Sequence, residues 1–148
     1  MNVNDKVIDI IERSNKNLKY IEEGKNKGKE VFEVTQLIVN FITTLILCKE
    51  NLEIDHFPIC FYEFECEVIG ENTYNDYFEN DTYLYIKHLR NACCHDGVNV
   101  DNSTEEIEYI TFTDTDGIHK VTIKIKVENI KKIYDYLVKN CRKMRRRK

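Results

Sequence analysis

A long apolar segment between Glu30 and Asn51 limits the possible folds of this chain more than any other part of the sequence. Its hydrophobic residues recur at helical spacing, but they occupy most of the helix circumference rather than one stripe. Such a helix is covered on nearly all sides, either at the centre of a bundle or by a second subunit, and the sequence leaves both arrangements open. The apolar positions are Val31, Val34, Leu37, Ile38, Phe41, Ile42, Leu45, Ile46 and Cys48.

Two amphipathic helices are predicted near the ends of the chain, at residues 3–22 and at residues 128–142. A polar turn is predicted between the first of them and the apolar helix, at residues 24–29. The basic run that follows residue 142 is predicted to be a frayed helix end, with a tether for RNA or for an acidic partner as the alternative. The inward positions are Val3, Val7, Ile8, Ile11, Leu18 and Ile21 in the first helix and Ile130, Ile133, Tyr134, Leu137 and Cys141 in the last.

A β-hairpin is predicted directly before the last helix. Ile110 and Phe112 alternate with polar residues in one segment, and a second segment alternates regularly from Val121 to Val127. The Asp116-Gly117 dipeptide between the segments is a strong hairpin signal. Asp114, two residues earlier, is therefore assigned to turn formation, since the rest of a calcium-binding loop is missing.

Two other regions have less regular patterns. Residues 96–106 are predicted to be a polar loop, and residues 59–69 a short helix, with a strand as the alternative because the period is unclear. His56, Cys60 and Cys66 lack the spacing of metal ligands, so no metal site is predicted.

Composition indicates one globular domain in a reducing compartment. The 148 residues are 42% hydrophobic and 32% charged, with a single Pro, which excludes fibrous and disordered classes. The N-terminus does not resemble a signal peptide, and the longest apolar run is too short to span a bilayer, so we expect a cytoplasmic protein without membrane contact. The six cysteines are accordingly predicted to be free thiols rather than disulfides.

The charge of the chain is distributed unevenly. Of its 22 basic residues, seven lie in residues 139–148, which contain no acidic residue. The remaining 15 basic residues stand against 26 acidic ones. A body this acidic repels a nucleic-acid backbone, so any affinity for RNA must come from local basic patches.

The candidate functional residues lie at the end of a predicted helix over residues 82–97. Asn91 and His95 are four residues apart and share one face of the last turn, and Arg90 lies about 100° around the helix from Asn91. Gly97 is placed to end the helix in a left-handed turn. An arginine, an amide and an imidazole therefore converge on one helix terminus.

The run from Leu89 to His95, Leu-Arg-Asn-Ala-Cys-Cys-His, resembles the Arg-polar-x3-His signature of HEPN domains. Leu precedes the Arg, Asn follows it, and the helix ends at His-x-Gly. The part after residue 105 is similar to one HEPN subfamily, first named from a multiresistance plasmid, in which a hairpin and a last helix follow the motif.

This resemblance implies a mainly helical (α+β) fold, an antiparallel HEPN-like bundle with a C-terminal hairpin and final helix. We expect a single domain over residues 1–148, with a helical core at 1–97, the hairpin and last helix at 98–141, and a basic tail at 142–148. The resemblance further implies a homodimer, an RNA substrate, a possible cognate antitoxin, and no cofactor or metal.

Under the same resemblance, the predicted activity is metal-independent endoribonucleolytic cleavage of toxin or phage-defence type, with Arg90, Asn91 and His95 as the catalytic residues. Imidazole titrates nearest neutral pH and suits a base, while a guanidinium suits a phosphate. The alternative is a non-catalytic HEPN dimer that binds a nucleotide, RNA or a partner protein. In a plain structural role, Arg90 would pair with an acidic neighbour and His95 would cap the helix.

Overall fold

The computed structural model describes residues 3–51, 67–70, 82–101, 107–116 and 119–146. Four helices are described: α1 Val3–Asn26, α2 Glu33–Asn51, α3 Thr82–Cys94 and α4 Val127–Arg146. Four strands accompany them: β1 Glu67–Gly70, β2 Val98–Asp101, β3 Tyr109–Asp116 and β4 His119–Lys126. The prediction of a mainly helical fold with a C-terminal hairpin and a last helix is confirmed.

The apolar helix α2 lies at the centre of the described helices, packed against α1, α3 and α4. Phe41, Leu45 and Cys48 of α2 are fully buried, and the Phe41 ring meets Phe112 of β3 edge to face, with centroids 5.9 Å apart. Val39 is half exposed, so the covering of α2 within one chain is incomplete. The sequence left two arrangements open, and the central position in a bundle explains the burial of most of the apolar surface of α2.

Helix α4 buries the whole stripe that its periodicity predicts, and α1 buries most of its own, with Ile21 half-buried. Val7, Ile8, Ile11 and Leu18 of α1 are buried, as are all five positions predicted for the last helix. α1 continues to Asn26, beyond its predicted end, and the chain turns at Gly28 with a φ of 78°. α4 likewise continues through Arg146, so the predicted fraying after residue 142 is wrong: the basic residues up to Arg146 extend the helix.

The four strands form one antiparallel sheet in the order β1-β4-β3-β2. The predicted hairpin is present, with Asp116 paired to His119 at its closed end. The prediction of a loop at residues 96–106 is wrong for Val98–Asp101, which pair with Tyr109–Phe112 as β2. Of the segment at 59–69, only residues 67–69 are described, and they belong to β1, in agreement with the strand alternative.

The sheet has an inner and an outer face. Alternate residues of the hairpin point toward the helices and are buried, namely Ile110, Phe112, Asp114, Val121, Ile123 and Ile125. The intervening residues define the outer face and are half-buried or exposed, namely Tyr109, Thr111, Thr113, Thr115, Lys120, Thr122, Lys124 and Lys126. Helix α3 contacts the sheet at β3, which places the candidate motif beside the inner face.

Among the described helices, none combines the length and the apolar character needed to cross a membrane.

Candidate functional site

The candidate motif lies in the last turn of α3, which is closed by hydrogen bonds of the backbone. The His95 N–H donates to the carbonyl of Asn91 at 3.0 Å, and the Gly97 N–H donates to the carbonyl of Ala92 at 2.8 Å. Asp96 has a φ of 58°, so Asp96 and not Gly97 adopts the left-handed conformation. The predicted left-handed turn is therefore present one residue earlier than expected, as in a Schellman cap.

Gly97 is required for a different reason, its close approach to β3. A Cβ at this position would lie 2.0 Å from the carbonyl oxygen of Thr113 and 3.0 Å from the Cα of Ala92. The Thr113 N–H donates to the Gly97 carbonyl at 2.7 Å. The end of the motif helix is thus held against the sheet by backbone contacts that leave no room for a side chain.

The three predicted site residues differ in exposure and contacts. His95 is exposed, while Arg90 and Asn91 are half-buried, and the Nε atom of Arg90 is buried. The amide of Asn91 donates from Nδ2 to Oδ2 of Asp114 at 3.1 Å. Asn91 is therefore oriented by β3, and the described contacts of its side chain lead into the protein rather than to His95.

The carboxylate that holds Asn91 also accepts a hydrogen bond from His88. Nδ1 of His88 lies 2.7 Å from Oδ2 of Asp114, and the two residues are only 5% and 6% exposed. One buried carboxylate oxygen thus receives two donors from successive turns of α3. Such an arrangement fixes the rotation of the motif helix relative to the sheet.

His88 and Asp114 are absent from the predicted site, and the assignment of Asp114 to turn formation is wrong. Asp114 is in phase with Ile110 and Phe112, which places it on the buried face of β3. His88 likewise lies three residues after the buried Tyr85 and four before the buried Ala92. Both periodicities are visible in the sequence and predict buried positions, where a polar side chain requires a partner.

The described cysteines are free thiols, and burial makes two of them poor nucleophiles. Burial, with a smaller contribution from neighbouring Cys94, raises the pKa of Cys93 to about 12. Cys48 and Cys141 are buried with their sulfurs 3.5 Å apart, and the hydrogen bond to Cys141 and burial raise the pKa of Cys48. Cys94 is exposed. Because a thiol reacts as its thiolate, Cys93 and Cys48 do not suit nucleophilic catalysis.

No group of three or more His, Cys, Asp or Glu side chains that could hold a metal ion occurs in the part of the chain that the structure describes. His56, Cys60 and Cys66, judged unsuitable from their spacing, lie outside the described residues.

Comparison with known proteins identifies a family that this chain matches. The family model described as HEPN pEK499 p136 matches residues 1–147. Searches of the curated proteins and of the solved structures found no match.

Proposed function

The chain belongs to the HEPN pEK499 p136 family, and from that premise we propose that it is a metal-independent endoribonuclease of toxin or phage-defence type, acting in the cytoplasm. The observation that carries the proposal is the exposure of His95 at the end of a helix whose rotation and terminus are both fixed by the sheet. An exposed imidazole on a rigid element suits proton transfer to a bound substrate.

In this proposal, His95 takes the proton from the 2′-hydroxyl of the RNA, and the oxygen of that hydroxyl attacks the adjacent phosphate. Arg90 neutralises the charge that develops on the pentacoordinate phosphorus, because its guanidinium is planar and permanently charged. The leaving 5′-oxygen then needs a proton. One imidazole does not easily serve as base and acid together, so this proton requires a second donor.

A homodimer with twofold symmetry supplies that donor in our proposal. Two motif helices that face each other across the axis would bring a second His95 and a second Arg90 to one cleft. Asn91 then acts as a positioning residue, because Asp114 holds its amide and thereby the face of α3 that carries His95.

One observation favours the alternative, a non-catalytic HEPN dimer that binds a nucleotide, RNA or a partner protein. The Asn91 amide donates to Asp114, so this hydrogen bond is not directed at a phosphate or at His95. A motif whose Asn side chain is bonded to a buried carboxylate also suits a binding module that retains the HEPN fold but has no ribonuclease activity.

The experiment that separates these functions compares the wild-type chain with His95→Ala and with Cys94→Ala. Cys94 is the exposed neighbour of His95 and has no role in the proposed chemistry, so Cys94→Ala is the matched control. Each protein is expressed in a bacterial host, its soluble level is checked, and growth and total RNA are followed.

The proposal predicts growth arrest and fragmented RNA with wild type and Cys94→Ala, and normal growth with intact RNA for His95→Ala. Purified protein should cleave the same RNA in the presence of a metal chelator. Equal growth and intact RNA in all three strains at equal soluble levels would instead support the binding module, and a cognate antitoxin or other partner would then be sought.

A further inference from the structure

The outer face of the sheet forms a basic strip with an aromatic residue at one end. Lys120, Lys124 and Lys126 of β4 all point to this face, where they alternate with the buried residues of the same strand. None of these lysines forms an ion pair with a described residue. Their charge is therefore available to a ligand, in contrast to that of Lys131, which pairs with Glu22 and Asp135.

Tyr109 shares this strip with two of the lysines. The ammonium group of Lys124 lies 4.3 Å from the centroid of the Tyr109 ring, and that of Lys126 lies 6.0 Å from it. At an accessible site such a cation–π contact is weak, so a flexible lysine can exchange the ring for a phosphate. An aromatic ring within reach of two cations suits a nucleotide, with the base stacked on the ring and the phosphate near the ammonium groups.

The rest of the strip is made of small hydroxyl side chains. Thr111 lies opposite Lys124, and Thr113 pairs with Thr122, with their hydroxyls 3.3 Å apart. Small side chains let a ligand approach the sheet closely, and hydroxyls both donate and accept hydrogen bonds. The outer face of the hairpin is therefore polar and basic, while the register places Glu67 and Ile69 of β1 and Asp101 of β2 at its flanks.

The strip is joined to the turn of the candidate site through the backbone of β3, although α3 itself packs against the inner face. The Thr113 N–H donates to the carbonyl of Gly97, which follows His95 by two residues. Tyr109 and Thr113 are four residues apart on one strand, a distance of about 14 Å. A single strand that begins at Tyr109 and follows the hairpin therefore extends to the backbone position of β3 that bonds the motif turn, on the side of the sheet opposite α3.

The charge of the Tyr109 end supports a base rather than a phosphate there. A shallow cavity of about 340 Å³ lies beside the ring and is lined in part by Glu108 and Glu128. Carboxylates repel a phosphate but accept hydrogen bonds from the exocyclic amino groups of bases. The phosphates would then follow the lysines toward Thr113.

From these contacts, and resting on the proposed function for the substrate class, we propose that the outer face of the hairpin binds single-stranded RNA. The acidic body of the chain restricts RNA to basic patches, of which the outer face of the hairpin is one. A duplex does not suit this surface, because paired bases cannot stack on the Tyr109 ring.

The test measures binding separately from cleavage by using full-length protein with His95→Ala. A fluorescein-labelled, unstructured RNA of 12 nucleotides is titrated at several salt concentrations, and fluorescence anisotropy gives the affinity. The variants are Tyr109→Ala, Tyr109→Phe, and a triple change of Lys120, Lys124 and Lys126 to Gln. The matched control changes Lys6, Lys16 and Lys19, all exposed on α1, to Gln.

We expect Tyr109→Ala to weaken binding roughly tenfold and Tyr109→Phe to bind like the parent, because the ring carries the stacking. The triple lysine change should reduce the slope of log affinity against log salt by about 2, since each phosphate contact to a single strand contributes about 0.7. The α1 control should bind like the parent, and a 12-base-pair duplex should bind more weakly than the single strand.

Three results would overturn the proposal: no measurable binding by the parent, equal binding of the duplex, or a loss of binding in the α1 control that the sheet variants do not show. Circular dichroism of each variant shows whether the fold is retained. RNA cleavage by wild type that is unaffected by the sheet variants would reject this surface while leaving the ribonuclease intact. Binding without any cleavage would support the surface and reject the ribonuclease.

Discussion

His88 and Asp114 are joined by a buried hydrogen bond of 2.7 Å, although they lie 26 positions apart on a helix and a strand. The oxygen that His88 contacts also accepts the amide of Asn91. One carboxylate oxygen on β3 thus joins two successive turns of α3 inside the protein. Removal of either member leaves a buried polar group without this partner, which costs more than the bond itself contributes.

We expect Asp114→Ala and His88→Ala each to lower the free energy of unfolding by about 3 kcal/mol, because each leaves part of a buried polar pair behind. Urea unfolding at pH 7 measures the effect. The control is Arg13→Ala, which removes an ion pair to Asp9 whose arginine side chain is 78% exposed, and should cost less than about 0.5 kcal/mol. Equal losses in all three proteins would show that the buried pair has no special role.

Gly97→Ala should destabilise the protein by about 3 kcal/mol, because the new methyl group collides with backbone atoms of Thr113 and Ala92 that cannot rotate away. The same change should reduce RNA cleavage by displacing the turn that carries His95. Thermal unfolding, with the cleavage assay on the folded fraction, measures both effects.

Gly28→Asn provides the comparison for Gly97. Gly28 has a positive φ, but no other atom lies within 4 Å of the position that a Cβ would occupy, and Asn tolerates this conformation. The substitution should cost less than about 1 kcal/mol. A Gly97→Ala protein as stable as Gly28→Asn would contradict the close packing of the motif turn.

The side chain of Asn40 should contribute more to the free energy of unfolding than the hydroxyl of Tyr134, which it contacts. Its Nδ2 donates to the Ser14 carbonyl at 3.0 Å and to the Tyr134 hydroxyl at 3.2 Å, and its Oδ1 accepts from Gln36 at 2.8 Å. We expect a loss of about 2 kcal/mol for Asn40→Ala and about 1 kcal/mol for Tyr134→Phe. Because the two side chains share a bond, the double variant should lose less than the sum, as urea unfolding would show.

The described cysteines should differ sharply in reactivity. With its pKa at about 12, Cys93 at pH 8 has a thiolate fraction roughly a thousandfold below that of an ordinary thiol. Cys94, the exposed neighbour, should therefore react first with iodoacetamide in the folded protein. Fragmentation of the tryptic peptide that begins at Asn91 locates the label. Equal labelling of both residues before unfolding would contradict the burial of Cys93.

Stability should decline in alkaline solution. Burial raises the pKa of both Cys93 and Tyr134 to about 12, whereas the unfolded side chains titrate near 9 and 10. Above pH 9 the unfolded chain releases protons that the folded chain retains, so the free energy of unfolding falls as pH rises toward 12. Urea midpoints at pH 8, 9, 10 and 11 measure this decline. Cys93→Ala should reduce its slope between pH 9 and 11, and an unchanged slope would assign the decline to other groups.

The helices and the hairpin were predictable because their patterns repeat within a single segment. Ile130, Leu137 and Cys141 mark one face of α4 without reference to any other part of the chain. β2 was missed for the opposite reason: it has only Val98 and Val100 as apolar residues, and its strand conformation depends on pairing with β3.

The candidate site likewise combines residues that a local pattern identifies with contacts that join distant parts of the chain. Helix spacing places Arg90, Asn91 and His95 at one terminus, and their catalytic roles, which a resemblance implies, remain a prediction. The contact of Asn91 with Asp114 spans 23 positions and joins two elements, so no local pattern contains it. What the sequence does contain is the phase of Asp114 with Ile110 and Phe112, which places a carboxylate in the core and thereby requires a partner.

The hydrogen bond from Asn91 to Asp114 also limits how short a fragment can be while it keeps the geometry of the motif. A synthetic peptide of residues 82–97 would include the whole signature. It would lack the strand that orients Asn91 and the Thr113 N–H that donates to the Gly97 carbonyl. A fragment ending before residue 109 would have the same defect. The smallest piece that could preserve the geometry of the motif must therefore include the hairpin, and inhibitor screens or transplants into other scaffolds should begin from that unit.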